Sequence, residues 1–297
     1  MKQTVLALGF FDGVHLGHGA LLRRTAELAG QLGMTPAALT LDRHPSALFS
    51  AAPTKLLTTP DERSDLMRAL YGIAAVFVLP FDAHTGATPW EDFVEQTLVA
   101  QFHAGCLVCG QDYRFGAGGM GTPELLKEKC ASLGIGCACV PDVCLEGQKV
   151  SSTVIRSLLA QGEMAKAVRF LGHPHLLRGT VVSGRHLGRT LGIPTANLHP
   201  SPELLLPRFG VYAAKAYFDG EERMAVVNIG RRPTVHGETV TVEPWILDFD
   251  GDLYGHTLTL ALYDFLRPEQ KFPSLEALTA AIRQNAVQTR TFFASKE

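Results

Sequence analysis

Residues 8–18 read LGFFDGVHLGH and join a short apolar run to an amphipathic segment. The run from Val5 to Leu8 has the composition of a buried strand, and residues 17–32 carry apolar side chains at helical spacing. A strand that passes directly into a helix is typical of an α/β fold, in which ligands bind beyond the carboxyl ends of parallel strands. The stretch therefore predicts the fold of the first half and the place of a binding site.

The rest of the first half repeats this alternation of strands and helices. Strands are predicted at residues 36–41, 74–79, 107–109 and 135–140, and helices at 90–101 and 123–133. Such an order predicts an open parallel sheet with helices on both faces.

The pattern changes near residue 172, where a turn-rich segment precedes a series of β-type runs. These runs cover residues 179–182, 211–218, 223–229, 239–247 and 258–262, and a helix at 274–292 follows them. We therefore expect two domains, 1–172 and 173–297, the second being an antiparallel barrel with a terminal helix.

The charge balance and hydropathy argue against several classes of partner. The formal net charge is -2, so binding to nucleic acid or to an anionic membrane has no electrostatic support. No apolar run approaches the roughly 20 residues of a membrane span. The first residues enter an apolar strand without a signal-peptide cleavage site. We expect small-molecule substrates and neither nucleic-acid nor membrane partners, and the sequence predicts no oligomeric state.

The chain contains 6 cysteines, at positions 106, 109, 130, 137, 139 and 144. The CxxC and CxC spacings leave a zinc site open as an alternative. Their apolar neighbours favour buried strands in which cysteine acts as a small hydrophobe. Nothing in the spacing indicates an oxidising compartment, so we expect a cytoplasmic protein.

His15 and His18 flank Gly17 at the predicted start of the first helix. A helix N-terminus presents free N–H groups and a positive dipole end, and a glycine there lets a phosphate approach the backbone. Two imidazoles can donate to phosphate oxygens as negative charge develops, which suits adenylyl transfer without a covalent intermediate. The alternative is a pair of surface histidines in a loop. The position at a strand-to-helix junction favours the functional interpretation.

The stretch GFFDGVHLGH resembles the nucleotidylyltransferase signature and, over its length, the adenylyltransferase module of the prokaryotic bifunctional FAD synthetases. A second motif, VSSTVIR at residues 150–156, is similar to the segment of that family that contacts the ATP phosphates. Ser152 and Thr153 are predicted to cap a helix at 154–160, and Arg156 to neutralise the departing pyrophosphate. The alternative is an ordinary helix cap beside a solvated arginine.

Two further segments extend this resemblance. The segment CGQDYRFG at 109–116 resembles the family's DFRFG segment, and LTLDRHP at 39–45 resembles its TFxPHP loop beside the flavin, with Arg43 in place of the usual proline. The resemblance implies catalysis by His15, His18 and Arg156. It implies ATP contacts from Gly9, Phe11, Asp12, Gly17, Asp112, Ser152 and Thr153, and flavin contacts from Asp42, His44 and Phe115.

In the second half, residues 184–197 read GRHLGRTLGIPTAN. A glycine-rich basic loop can hold phosphates with backbone N–H groups, and the oxygens of Thr195 and Asn197 are hard ligands that suit Mg²⁺. A flexible solvated hairpin is the alternative. The string resembles the riboflavin kinase signature, which implies a six-stranded antiparallel barrel. It also implies ATP contacts from Gly184, Gly188 and Arg189, and a magnesium site at Thr195 and Asn197.

The segment TVEPWILDF at 241–249 resembles the part of riboflavin kinases that carries the catalytic glutamate. It implies that Glu243 is the general base; without the resemblance, Glu243 is an ordinary solvated strand residue. Pro244 and Trp245 replace the family's usual VH pair. Because proline cannot donate a ladder hydrogen bond, we expect a strand edge or a bulge there. The segment LRPEQKF at 266–272 also resembles the family and implies a flavin contact from Arg267.

Together these resemblances imply a bifunctional enzyme. Riboflavin and ATP give FMN, and FMN and a second ATP give FAD and pyrophosphate, with a divalent metal at two separate sites. Two alternatives remain open: an enzyme that only adenylylates FMN because its kinase site is lost near Trp245, and a flavin-binding regulator without turnover.

Overall fold

The structure is a computed structural model that describes residues 3–48, 50, 53–182, 193–234 and 237–296, with the backbone alone at 232–234 and 237–239. The predicted phosphate contacts Gly184, Gly188 and Arg189 lie outside the described residues. The chain divides into two compact units, Met1–Ser152 and Thr153–Glu297. This division falls before the domain boundary at residue 172, which stays a prediction.

The first unit is built on a five-stranded parallel sheet in the order β3-β2-β1-β4-β5. Its strands are β1 Thr4–Leu8, β2 Thr35–Leu41, β3 Ala75–Leu79, β4 Ala104–Gly110 and β5 Gly136–Val140. Its helices are α1 Leu16–Leu32, α2 Pro60–Tyr71, α3 Ala83–Ala87, α4 Trp90–Asp92 and α5 Pro123–Ser132, and a π-helical segment over Phe93–Gln101 continues α4. A small hairpin, β6 Cys144–Leu145 and β7 Gln148–Lys149, ends the unit.

Alternate side chains of β1 lie in cores on opposite faces of this sheet. Leu6 and Leu8 pack with Leu39 on one face, and Ala7 packs with Leu22 of α1 on the other. The predicted open α/β sheet is therefore confirmed. The chain builds outward from β1 to β3 and then returns to the other side of β1, so the carboxyl end of β1 is the switch point at which such sheets bind ligands.

Helix α2 has no counterpart among the predicted elements, although its start carries a readable signal. Thr59 is the N-cap, Pro60 occupies the first turn, and Glu62 closes a capping box with the Thr59 backbone and side chain. The helix places Arg63 against the ends of β1 and β2.

The second unit begins with two helices and continues as a closed barrel of strand order β10-β11-β12-β9-β8-β13. The helices are α6 Ser152–Gln161, whose first residue ends the first unit, and α7 Met164–Leu171. The strands are β8 His175–Val182, β9 Asn197–Pro200, β10 Gly210–Phe218, β11 Glu221–Thr234, β12 Gly237–Ile246 and β13 Thr257–Pro268, and the terminal helix is α8 Leu275–Ala294. The predicted antiparallel barrel with a terminal helix is confirmed.

Two local expectations are wrong. Strand β12 lies between β11 and β9 in the closed barrel and pairs with β11 in unbroken register, so Pro244 marks neither an edge nor a bulge. The carbonyl of Pro244 accepts from Ala196 N at 3.0 Å. The missing N–H is on the same side of the strand, so the Pro244–Ala196 pair keeps one of the two hydrogen bonds that such a pair exchanges. Ser152 and Thr153 lie within the first turn of α6 instead of preceding it.

The cysteines are all free, Cys106 and Cys109 are buried in the core as expected, and Cys130 is buried as well. Cys139 is exposed because β5 is an edge strand, so a fully buried strand there was a wrong expectation. Within the described ranges no three His, Cys, Asp or Glu side chains are grouped as metal ligands. Among those same residues no helix has the length and apolar character that crossing a bilayer requires.

Candidate active sites

The loop between β1 and α1 is held in a strained conformation. Phe11 and Val14 have φ angles of 54° and 42°, in the left-handed region that bulky and β-branched residues rarely adopt. Both side chains are completely buried. Such conformations cost about 1–3 kcal/mol each and cluster at functional sites. The packing beneath the loop fixes the direction of the residues that follow.

His15 and His18 come together directly after this turn. His15 is the N-cap of α1, and its Nδ1 accepts the backbone N–H of His18 at 3.2 Å. The two rings stack with centroids 3.6 Å apart and planes 13° apart. Because Nδ1 of His15 acts as an acceptor, a neutral His15 carries its proton on Nε2, which makes Nε2 the donor nitrogen of the ring.

The electrostatic environment favours neutral His18. Burial lowers the pKa of His18 well below 6.5, and the neighbouring His15 and Arg63 lower it further. Its Nδ1 is buried and has no hydrogen-bond partner among the described residues. A buried polar atom without a hydrogen-bond partner costs about 1–3 kcal/mol of stability, so a hydrogen bond between His18 Nδ1 and a ligand is favourable.

Asp12 anchors the loop from below. Its carboxylate accepts Leu57 N at 2.9 Å and Thr58 N at 3.0 Å, and it forms a buried ion pair with Arg63 at 3.8 Å. Ser152 Oγ donates to the Asp12 carbonyl at 2.9 Å. The carboxylate therefore faces the protein interior and serves the shape of the loop. Sequence reasoning missed Arg63, because a charged residue in a helix normally lies on a solvated surface. It also missed Thr58, which precedes the helix.

The glycines of the loop sit where a side chain has little room. A Cβ on Gly17 would lie 3.1 Å from the His15 ring and 3.3 Å from the Val150 carbonyl oxygen, and one on Gly9 would lie 3.0 Å from Phe11. A side chain at position 17 would therefore press on the His15 ring at the N-terminus of α1.

Two predicted flavin contacts lie at the carboxyl end of β2. Burial raises the pKa of Asp42, but hydrogen bonds from Arg43 and from the Phe81 backbone outweigh it and hold the pKa below its usual value. His44 Nδ1 lies 2.7 Å from Ser46 Oγ, and its ring meets the edge of Phe10 at 5.1 Å between centroids. These residues adjoin the β1 loop, as the sequence-based prediction requires.

The remaining predicted contacts lie after β4 in the first unit or in α6 of the second unit. Phe115 is buried in an aromatic cluster with Trp90 and Tyr113. Asp112 is exposed and pairs with Lys149 at 2.9 Å, and the hydrogen bond from Lys149 lowers its pKa. Thr153 and Arg156 stand in the first turns of α6, Thr153 exposed and Arg156 half-buried.

The register of the barrel brings the predicted kinase residues together. Val242 of β12 pairs with Leu198 of β9, and the bond from Ala196 N to the Pro244 carbonyl continues this register. Asn197 is therefore opposite Glu243, and Glu243 pairs on its other side with Asn228 of β11. Directly opposite side chains on neighbouring strands lie about 5 Å apart at Cβ and share one face.

A cavity in the second unit is lined by Thr195 and Pro244. It is also lined by Phe249, Asp252 and Tyr254, for which the sequence predicted no site role. Asp252 Oδ1 accepts the Tyr254 backbone N–H at 3.0 Å, which closes that turn against the barrel. These turn residues are far from Thr195 in the sequence, and the closed barrel brings them together with it.

Comparisons with known proteins match both units. A family model for FAD synthetase matches residues 1–154, and one for riboflavin kinase matches residues 171–293. The bifunctional riboflavin kinase/FMN adenylyltransferase of Listeria monocytogenes is 37% identical over 298 residues, covering 99% of this chain and 94% of that protein. The protein of the same name from Escherichia coli K12 is 36% identical, with coverage of 98% and 93%.

The chain belongs to the bifunctional riboflavin kinase/FMN adenylyltransferase family. A crystal structure from Streptococcus pneumoniae, described as that of a macrolide-efflux protein, has a TM-score of 0.87 and 30% identity, covering 97% of this chain and 94% of that chain. Its fold is shared across both units.

Family membership identifies which half corresponds to which module. The β1–α1 loop and Ser152 fall in the FAD synthetase match, and Asn197, Glu243 and Arg267 fall in the riboflavin kinase match. In the second match, Arg267 Nε donates to Asn285 Oδ1 of α8 at 3.0 Å, and its guanidinium lies 5.3 Å from the Phe272 ring centroid. Burial lowers the pKa of Arg267. The arginine thus ties the last strand to the terminal helix.

Proposed function

We propose that this enzyme makes FAD from riboflavin in two ATP-dependent steps, as its family membership supports. The second unit transfers the γ-phosphate of ATP to riboflavin and gives FMN. The first unit transfers an adenylyl group from a second ATP to FMN and releases pyrophosphate. The proposal rests on one feature in each unit. The first unit has two stacked imidazoles at a helix N-terminus. In the second unit, the barrel register places Asn197 opposite Glu243.

For adenylyl transfer, the FMN phosphate attacks the α-phosphorus of ATP and pyrophosphate leaves. His15 donates a hydrogen bond from Nε2 to the triphosphate oxygens, and the His18 ring donates another. The N–H groups at the start of α1 and the helix dipole stabilise the negative charge. Arg156 stabilises the departing pyrophosphate. The catalytic contribution is positioning and charge stabilisation, with no covalent enzyme intermediate.

For phosphoryl transfer, Glu243 accepts the proton of the ribityl 5'-hydroxyl as that oxygen attacks the γ-phosphorus, and the bond from the γ-phosphorus to the bridging oxygen breaks to release ADP. Thr195 and Asn197 orient the nucleotide, and the predicted loop residues Gly184, Gly188 and Arg189 hold its phosphates. Arg267 borders the flavin, as Asp42, His44 and Phe115 do in the first unit.

Both family modules act on ATP, and we propose that the metal is Mg²⁺. The hydroxyl of Thr195, the amide oxygen of Asn197 and the carboxylate of Glu243 are hard oxygen donors, which suit Mg²⁺ better than a soft metal. A bound Mg²⁺ neutralises triphosphate charge. We also propose a cytoplasmic location and small-molecule substrates alone, on the grounds of the charge balance and the free thiols.

Product analysis tests the proposal and the adenylylation-only alternative. Riboflavin and Mg-ATP are incubated with the wild type, His18→Ala and Glu243→Ala, and the flavins are separated by chromatography. We expect FAD from the wild type, FMN without FAD from His18→Ala, and unchanged riboflavin from Glu243→Ala, which still converts added FMN. A wild type that converts FMN but never riboflavin would support the alternative instead.

A further inference from the structure

Arg63 occupies a position that arginine rarely takes. It lies in the first turns of α2, and its side chain is completely buried. Fully buried arginines are uncommon unless they are paired. The guanidinium lies among three segments: the β1 loop, the end of β2 and the residues that precede α2.

One side of the guanidinium contacts the nucleotide-binding loop. Its NH2 lies 3.8 Å from Asp12 Oδ1 and donates to the Thr58 carbonyl at 3.2 Å. Thr58 in turn donates to Asp12 from its backbone at 3.0 Å, and its Oγ1 accepts Gly13 N at 2.9 Å. This side therefore fixes the turn that leads into His15.

The other side contacts the segment that leads into the flavin loop. NH1 of Arg63 donates to Thr40 Oγ1 at 2.7 Å and to the Leu41 carbonyl at 3.0 Å. Thr40 Oγ1 passes the connection on by donating to the Phe10 carbonyl at 2.7 Å. The guanidinium also lies 4.3 Å from the Phe10 ring centroid, and Phe10 contacts His44.

Stability alone does not account for this arrangement. Burial lowers the pKa of Arg63 to about 10 against the opposing effect of Asp12 and Glu62, so the group is still charged at neutral pH. Its Nε has no partner among the described residues. A buried ion pair is weak support for stability, since replacing both partners by apolar residues of similar volume is often as stable; replacing Arg63 alone leaves Asp12 buried without its ion-pair partner, so the thermal unfolding of Arg63→Met is measured beside its rates. What the residue provides is a fixed geometry between two loops.

We propose that Arg63 is a positioning residue for adenylyl transfer, which sets the nucleotide-binding loop at residues 9–18 relative to the flavin-binding loop at residues 39–45. The inference rests on the proposed function. The Arg63 side chain itself contacts no substrate. Through Asp12 it places the histidines, and through Thr40 and Leu41 it places the flavin side, so that the FMN phosphate and the α-phosphorus of ATP meet in line.

Substitution of Arg63 is expected to change the turnover number and leave binding intact. Each loop still holds its own substrate in Arg63→Met, but their relative placement is lost, and a misplacement near 1 Å costs about 100-fold in rate. We expect kcat for FMN adenylylation to fall about 100-fold, with KM for ATP and for FMN within about threefold of wild type. The kinase rate of the same chain is expected to stay unchanged.

Two controls separate positioning from folding. Arg68→Met makes the same chemical change on the exposed side of α2, where Arg68 pairs with Asp65, and is expected to leave both activities unchanged. Thr40→Val removes the hydroxyl that links Arg63 to Phe10 and is expected to lower the adenylylation kcat about tenfold, whereas Thr40→Ser keeps the hydroxyl and restores the rate.

The outcomes are distinguishable. An adenylylation kcat within about twofold of wild type in Arg63→Met, or a loss that falls on the KM values, overturns the positioning role. Equal rates for Thr40→Val and Thr40→Ser overturn the Thr40 link and the proposal with it. If the wild type does not adenylylate FMN, the proposed function itself is refuted, so the wild type is assayed before any variant.

Discussion

Replacing Gly17 by alanine tests whether the N-terminus of α1 holds the nucleotide phosphates. The new Cβ would lie 3.1 Å from Cε1 and Nδ1 of His15 and 3.3 Å from the Val150 carbonyl oxygen. Ordinary contacts of a Cβ begin near 3.4 Å, so His15 has to move by a few tenths of an ångström. Its ring is buried and stacked on His18, and the two imidazoles therefore shift together.

The expected effect is a loss of rate without a loss of stability. A 1 Å misplacement costs about 100-fold, so a shift of a few tenths of an ångström, with a methyl group at the phosphate approach, is expected to cost about tenfold in adenylylation. Alanine is the better helix former by up to about 1 kcal/mol, so the first unit is not destabilised. Initial rates of FAD formation from FMN, beside thermal unfolding, measure both quantities.

Gly30→Ala is the matched control, because it makes the same change in the same helix where no atom lies within 4 Å of the new Cβ. We expect Gly30→Ala to keep the wild-type rate and to gain up to about 1 kcal/mol in stability. The reasoning is refuted if Gly17→Ala forms FAD from FMN at the rate of Gly30→Ala.

Three further predictions follow from the structure. Burial holds the pKa of His18 well below 6.5, so its ring is expected to stay neutral from about pH 8 to about pH 6.5; an NMR titration of the His18 ring centred near pH 6.5 would contradict this. Burial lowers the pKa of His175 to about 4 against its hydrogen bond to the Leu205 carbonyl. As the pH falls below about 6.5, His175 becomes protonated in the unfolded chain while it stays neutral in the folded chain. This difference favours unfolding, and the second unit is expected to lose about 2 kcal/mol of stability by pH 5. Denaturant titrations should show a flatter pH dependence in His175→Asn, and an equal slope would contradict the assignment. A Cβ at Gly230 would overlap the Glu269 carboxylate, which is the exposed end of a flexible side chain and can move aside, so Gly230→Ala is expected to spare both activities; paired assays from riboflavin and from FMN decide.

The local pattern of the sequence was enough to predict the elements that build the first site. The apolar run before residue 9 and the helical spacing after residue 16 place His15 and His18 at a strand-to-helix junction, and the structure has both there. The capping box at Thr59 and Glu62 is equally local and could have revealed α2.

The rest depended on contacts between residues far apart in the sequence. Arg63 reads as a solvated helix residue, and its burial follows from Asp12, 51 positions earlier, and from Thr40. The pairing of Asn197 with Glu243 is set by barrel register, which no local pattern encodes. Pro244 was misread for the same reason: a proline forbids a donor on one side only, and the register decides which side that is.

The central claim, two separate transfers on one chain, is tested most directly by tracing the phosphates of ATP into the flavin. Purified enzyme receives riboflavin with ATP labelled at either the γ- or the α-phosphate, and the FMN and FAD formed are separated and counted. The account predicts γ-label in FMN and both labels in FAD, the γ-label on the flavin side and the α-label on the adenylyl side. If α-label entered FAD only when FMN was supplied, and no γ-label left ATP for riboflavin, the claim would be contradicted.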